Sequence, residues 1–598
     1  MEGPLWPGLL AEAWAALGAG GVPVELEVTG EAGRLPSRLP VEDVAIACSG
    51  AALLAAADLH VRRGGSAPRG ARLDRAHIAA AFRSEAYLRV NGERAGAGFA
   101  PLSRFWPTAD GWVRTHANYP WHREALLRAL GTLADPDAVA AAIAALRAGE
   151  IEDLVVGAGG VAAAVRGEAA WLAGPAGRAV AAARLIEGGL TGDAPPRRRA
   201  AGALPASGIR VLDLTRVIAG PTATRYLAAL GADVLRLDAP HRPELPLHAR
   251  DGLLGKRSAL LDLGTGGGAS TLHDLLAGAD VLVHGYRPHA LDRFGLTPGA
   301  LAERHPGLVT VSLSAWGSGG PWGYRRGFDS IVQAACGIAA AESADGERPG
   351  AMPCQLLDHG TGYLCAAAAL RALADQADRG GSYHRELSLA RTAHWLLAQP
   401  RETARQPSET ARQPRAATGQ PHEMTGARPE RSETNDDGRP WLITVESTEG
   451  LVTTVAPLGW LGGAGFSWQR RLSRYGADRA AWGESGLTDR DQGQVGLAED
   501  AVIATQPDRA VLVQALADLG RLGMARVSGE PLLLIGLVAR FEVLPLLPGR
   551  RLDPRQAEAR GDGQVREVRQ AAVFARGRAR PHTGKFRLCG RALPVALR

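Results

Sequence analysis

The stretch Gly350-Ala-Met-Pro-Cys-Gln-Leu-Leu-Asp358-His-Gly-Thr-Gly-Tyr363 sets one carboxylate at the glycine-rich entry to a long apolar segment. Two chemistries fit a carboxylate there. As a cap, Asp358 accepts hydrogen bonds from the free amides of a helix predicted from about Gly360 to Arg379. As a nucleophile, it attacks a bound ligand, and Gly360-Thr-Gly362 lets a large ligand come close to the backbone. Spacing alone favours the cap.

The elements that must position this residue read as βα units. From Gly208 the chain runs Ile-Arg-Val-Leu-Asp-Leu, a short buried strand, and Thr215-Arg-Val-Ile-Ala-Gly-Pro221 opens a helix through Leu230. Further strands are predicted at Asp233 to Leu237, Ser258 to Leu263, Asp280 to His284 and Leu308 to Ser314, with helical patterns between several of them. Such alternation predicts an open, mainly parallel sheet covered by helices, with ligands received at the carboxyl ends of the strands. The first βα turn lacks the Gly-x-Gly-x-x-Gly of a dinucleotide cradle. Gly-Thr-Gly-Gly-Gly at 264 to 268 lacks the lysine of a phosphate loop and reads as a turn.

Composition narrows the class. The chain has 598 residues, 46% of them hydrophobic, enough for several folded domains. A formal charge of +6 comes almost wholly from arginine interspersed with acidic residues, Lys256 and Lys585 being the two lysines. That pattern argues against a polyanion partner such as nucleic acid. Five cysteines, Cys48, Cys336, Cys354, Cys365 and Cys589, show no close pair at metal spacing and fit a reducing cytoplasm. No uninterrupted apolar run approaches the roughly 18 residues of a membrane helix, so no membrane is expected as a partner, and the cysteine spacing gives no reason to expect a metal.

Six motifs then occur in a telling order: Gly208-Ile-Arg-Val-Leu-Asp-Leu-Thr-Arg-Val-Ile-Ala-Gly-Pro221, Leu230-Gly-Ala-Asp-Val-Leu-Arg236, Gly255-Lys-Arg-Ser-Ala-Leu-Leu-Asp-Leu263, His284-Gly-Tyr-Arg-Pro-His-Ala-Leu-Asp-Arg-Phe-Gly-Leu296, Trp316-Gly-Ser-Gly-Gly-Pro321 and Gly327-Phe-Asp-Ser-Ile-Val-Gln-Ala-Ala-Cys-Gly337. Together they resemble the class III coenzyme A transferases, the CaiB/BaiF family. The resemblance implies an α/β fold with an open, mainly parallel, Rossmann-like sheet, a smaller α+β domain and interlocked dimers. It also implies an acyl-CoA:carboxylate CoA-transferase, with Asp358 as the nucleophile that attacks the thioester. The carboxylate displaces CoA thiolate to give a mixed anhydride, and thiolate and acceptor carboxylate then complete a ping-pong exchange. No permanently bound cofactor is required; acyl-CoA and a carboxylic acid are the substrates, and the acyl group is left open.

Carried over onto this sequence, Val217 and Ala219 lie along the nucleotide and pantetheine, Arg216 stands where some members have histidine, and Arg293 meets phosphate. Lys256 and Arg257 are further phosphate candidates, each weighed against a solvated surface cation. Tyr286 either stacks on adenine or is a structural aromatic. Amides of Gly360 and Gly362 are the nearest oxyanion donors in sequence. Two alternatives stand. The related α-methylacyl-CoA racemases place a histidine in the segment that here reads Gly327-Phe328-Asp329, and phenylalanine cannot shuttle a proton. A non-catalytic CoA-binding or scaffold protein is the other.

Residues 46 to 90 repeat the pattern that follows Asp358, with Ile46 at the nucleophile's position. The expected divisions are therefore a partial transferase-like region at 1–195 without a nucleophile, a transferase domain at 205–398, a low-complexity linker at 399–440, a closing segment at 441–484 and an accessory tail at 485–598. Complementary pieces imply a homodimer or pairing within one chain. His116, Asn118 and His122 gather polar groups without metal spacing and are assigned to an interface or an acyl pocket. Arg580-Pro-His-Thr-Gly-Lys585 faintly matches the start of an iron-binding motif of 2-oxoglutarate dioxygenases, but glycine stands where an aspartate ligand is needed.

Overall fold

Seven strands build the frame of the site: β1 (Glu187–Gly192), β2 (Arg210–Leu214), β3 (Asp233–Asp238), β4 (Arg257–Leu260), β5 (Val281–His284), β6 (Val309–Ser314) and β7 (Ser382–Ser388). The computed structural model describes residues 3–401 and 441–483. Their order across the sheet is β4-β3-β2-β5-β6-β7-β1. From β4 to β7 neighbouring strands run parallel, and β1 joins β7 antiparallel. Val211-Leu212 and Val281-Leu282-Val283 are fully buried, as parallel strands with helices on both faces require. Between β2 and β5 the order of winding reverses, which opens a crevice at the carboxyl ends of these strands.

Five helices matter to the site: α1 (Val41–Arg62), α2 (Ala219–Ala229), α3 (Asp329–Cys336), α4 (Leu356–Arg379) and α5 (Leu389–Leu397). Helix α4 begins at Leu356, four residues before the predicted start, so Asp358 lies inside its first turn. Alanine runs at 366–369 of α4 and 55–57 of α1 let the two buried helices approach closely; the position a Gly360 Cβ would take is 3.3 Å from Cys48 Sγ. Helix α1 has the length and apolar composition of a membrane span, yet most of it is buried in this core.

Helices α1 and α4 are each followed by a glycine turn, a strand and a helix. Helix α1 is followed by Gly64-Gly65, a strand at Ala71–Asp74 and a helix at Arg75–Ala81 capped by the Asp74 side chain. Helix α4 is followed by Gly380-Gly381, β7 and α5, capped by the Ser388 hydroxyl. Gly64, Gly380 and Gly381 all adopt positive φ, which explains glycine at each turn.

Residues before 195 do not form a separate body. All described residues fall within one compact unit, Met1–Leu487, in which α1 packs on α4 and β1 extends the central sheet. A smaller antiparallel sheet of Phe105–Thr108, Gly111–Thr115 and Ala162–Ala164 carries helices Pro120–Leu130, Pro136–Ala144 and Ala148–Gly157. The expected closing strands form a hairpin, Leu442–Ser447 with Gly450–Val455, that pairs with Arg89–Val90. Trp460–Leu461 pairs with Ala71–Arg72, so this segment seals the N-terminal portion. The glycines at 266–268 open a helix, Gly266–Ala277, capped by Thr265. The linker beyond residue 401, the tail from 485 and its iron-motif remnant lie outside the described residues.

Candidate active site

Asp358 is 6% exposed. The residue before its helix, Gln355, makes no capping bond. The cap comes instead from another helix: Asp329, first residue of α3, accepts the Asp358 amide at 3.0 Å and also takes the Leu357 amide. Gln333, one turn along α3, donates to the other Asp329 oxygen and accepts the Met352 amide at 3.2 Å. The capping role that spacing assigned to Asp358 thus belongs to Asp329, and the Asp358 side chain is left for chemistry.

Three carboxylates converge here. Burial, then the charges of Asp329 and Glu85, push Asp358 well above the usual carboxylate range. Asp329 is pushed up to about 6, chiefly by burial. Two neighbouring buried carboxylates cannot both ionise cheaply, so they hold protons to higher pH. Glu85 reaches the site from a short helix, Ser84–Tyr87, and sits 3.1 Å from His359 Nε2. Burial works to raise Glu85, but the His359 hydrogen bond and charge outweigh it and hold its pKa low. His359 is fully buried, with Nδ1 3.4 Å from the Thr222 hydroxyl of α2. Sequence reasoning missed Glu85 because its partner lies 274 positions away.

The turn after β2 meets α4 directly. Val217 has φ 68°, a strained conformation for a β-branched residue. Its amide donates to Glu244 Oε2 at 2.9 Å, and Glu244 also accepts from Arg236 at 3.1 Å. Burial raises Glu244, but Arg236, Arg216 and His248 prevail and hold it at about 2, a fixed anion that pins the turn. A Cβ at Gly362 would lie 2.4 Å from the Ala219 carbonyl oxygen and 2.9 Å from Thr222 Cβ. Glycine at 362 is what brings α4 onto the start of α2.

Several predicted binding residues have different duties. Lys256 is fully buried, its ammonium 2.9 Å from Asp213 Oδ2 and 2.6 Å from the Thr224 hydroxyl. It fixes β2 to α2 and shows no charge to an incoming phosphate. Arg257, 8% exposed, is bound to Asp233 at 2.9 Å. Arg216 donates to the carbonyls of Arg242 and Pro243, both at 2.7 Å, and lies over the Tyr119 ring. The amides of Gly360 and Gly362 sit in the hydrogen-bond ladder of α4, so they are not free to receive an oxyanion. Arg293 is exposed and stacks on Phe294, and Tyr286 is half-buried at the end of β5.

The crevice holds cations that the sequence did not single out. Arg242 follows β3, Arg287 follows β5 and Arg326 follows β6. Burial, then the charges of Arg287 and Arg242, lower Arg326. Burial, then Arg326, Arg242 and Arg216, bring His122 down to about 3. Among the described residues no carboxylate pairs with Arg242, Arg287 or Arg326. These arginines converge at the carboxyl ends of the strands, a surface complementary to phosphate. His116 and His122 are packed by aromatic rings: His116 lies flat on Phe328, centroids 3.7 Å apart, and His122 meets the same ring edge-on at 5.7 Å. Asn118 binds Ser103 and the Ala100 amide as a loop brace. No cluster with metal-ligand composition occurs among the described residues.

Residues 206–443 match the model of CoA-transferase family III. The chain is 35% identical over 199 residues to an acetyl-coenzyme A transferase, nodX, of Hypoxylon pulicicidum, the match covering 32% of this chain and 34% of that one. It is 35% identical over 184 residues to a probable fatty acyl-CoA transferase, Rv3272, of Mycobacterium tuberculosis, covering 29% and 47%. It is 37% identical over 177 residues to a formyl-CoA:oxalate CoA-transferase of Streptomyces coelicolor, covering 28% and 43%. The chain spans between about a third and a half of the length of these curated relatives.

Proposed function

Because residues 206–443 are a CoA-transferase family III region, we propose that the protein is an acyl-CoA:carboxylate CoA-transferase acting through covalent intermediates on Asp358. The observation that carries this reading is the contact at Gly362. It sets the helix of Asp358 against the strained turn of Arg216, Val217 and Ala219, and Asp358 lies one turn earlier on the same helix face. A nucleophile and a nucleotide-binding turn are thereby adjacent.

The ionised Asp358 oxygen attacks the thioester carbon and the tetrahedral intermediate expels CoA thiolate, leaving an acyl-aspartyl anhydride. Thiolate then attacks the aspartyl carbonyl, releasing the donor's carboxylate and leaving a thioester on Asp358. The acceptor carboxylate repeats these steps in reverse. Asp329 fixes the Asp358 backbone, and the raised pKa of both groups makes deprotonation part of entering the cycle. Arg242, Arg287, Arg326 and Arg293 are the cations available to the CoA phosphates. The sheet is read as Rossmann-like, and the enzyme as a cytoplasmic homodimer without a resident cofactor.

Intact-protein mass spectrometry with a panel of acyl-CoAs, followed by hydroxylamine trapping and peptide mapping, tests the reading. A hydroxylamine-sensitive adduct on the Asp358 peptide, lost in Asp358→Ala while CoA binding persists, is expected. CoA binding without any adduct would instead support the scaffold reading. Exchange of solvent deuterium into an α-methylacyl-CoA, with no adduct, would support the racemase reading, for which His116, stacked on Phe328, stands beside the segment where the racemases carry histidine.

A further inference from the structure

Arg114 lies on the strand Gly111–Thr115 of the smaller sheet and is 2% exposed. Its guanidinium carbon sits 4.8 Å from the centroid of Phe99 and 4.9 Å from that of Phe105. Nε and Nη1 are enclosed and have no hydrogen-bond partner. Among the described residues no carboxylate pairs with it. Arg104, at the start of the neighbouring strand, stacks over Trp106 at 4.9 Å and has an enclosed, unpartnered Nε as well. A buried guanidinium without an anion is unfavourable for folding, and two side by side more so. Burial and the Arg104 charge lower Arg114 to about 10, so it remains a cation at neutral pH.

The pair stands beside the candidate active site. The Phe99 ring that covers Arg114 meets His116 edge-on at 6.4 Å, and His116 stacks on Phe328, the residue before Asp329. We propose that Arg114 and Arg104 form a binding site for a carboxylate of the acid substrate other than the one that reacts, so that the enzyme selects acids carrying a second carboxylate. This deepens the transferase reading and rests on it. The enclosed, unpartnered Nε and Nη1 of Arg114, beside the Phe99 and Phe105 rings, are the donors that would receive the carboxylate, each through a charge-assisted hydrogen bond. The aromatic walls exclude water and strengthen that bond.

The full chain is tested by thermal shift and calorimetry with succinate and with butyrate, which share a chain length and differ in the second carboxylate. Succinate is expected to raise the melting temperature of the wild type while butyrate does not. Arg114→Met keeps the apolar packing, and is expected to melt no lower than wild type and to lose the succinate response. Arg104→Met, at a half-exposed position, is expected to weaken the response and serves if the first variant does not fold. In steady-state exchange the KM for succinate relative to butyrate is expected to rise about tenfold or more in either variant. A wild type blind to succinate, as when an acidic segment of the chain already occupies the arginines, would overturn the proposal. So would a lower melting temperature with unchanged preference between the two acids, which marks structural arginines. If succinate binds through Arg114 but no adduct forms on Asp358, the transferase reading fails and the site stands; an adduct without succinate binding removes the site alone.

Discussion

Replacing Asp329 by asparagine tests how the site controls its nucleophile. The Asp329 carboxylate accepts the Asp358 amide at 3.0 Å; adding the reach of an aspartate side chain from its own amide, about 5 Å, puts the two carboxylates no more than about 8 Å apart. At that limit and an effective dielectric of about 20, two negative charges repel by about 2 kcal/mol. Removing one charge therefore favours ionised Asp358, and the acid limb of adduct formation moves to lower pH. Below the limb the ionised fraction, and with it the single-turnover rate, rises by about 30-fold. Asparagine offers one acceptor oxygen where Asp329 takes two amides, so roughly 1–2 kcal/mol of stability is lost. Stability supplies a second check. Because Asp329 has its folded pKa raised from 3.8 to about 6, its contribution is present below the unfolded value and is lost as pH rises through the folded one. The wild type is expected to lose stability between about pH 4 and 6 more steeply than Asp329→Asn. The assay is the hydroxylamine-trapped adduct on the Asp358 peptide, followed from mildly acidic to mildly alkaline pH. An acid limb that stays in place or moves upward would refute the electrostatic coupling.

Two further substitutions separate fold from binding. Lys256→Met leaves Asp213 buried without its ammonium and is expected to cost about 3–5 kcal/mol in urea denaturation, with partial recovery in Lys256→Met/Asp213→Asn. CoA affinity of the folded fraction should not change; a selective loss of affinity would restore Lys256 to the phosphates. Gly362→Ala pushes a methyl group against the Ala219 carbonyl and is expected to cost about 1–3 kcal/mol and weaken CoA binding. Gly360→Ala faces the Cys48 thiol at 3.3 Å and serves as the milder comparison; equal effects at both positions would argue against a special contact at 362.

The sequence by itself determined the order of βα units and the helix that carries Asp358, because each is written in local patterns: apolar runs of strand length, glycine at turns, and a carboxylate at a helix start. It also displayed the repeated helix, glycine turn and strand around α1 and α4. Tertiary structure decided which carboxylate caps and which is free. Asp329 and Asp358 lie on different helices, and a cap supplied in trans leaves no signature in residue spacing. It likewise decided that Lys256 is internal, since a lysine beside a strand looks the same in sequence whether it faces solvent or Asp213. Glu85 and Arg114 entered the account only through folding, as the N-terminal portion carries them to α4 and Phe328. Their charge is visible in the sequence, but the His359 contact that holds Glu85 low and the burial that leaves Arg114 without a partner belong to packing between distant segments.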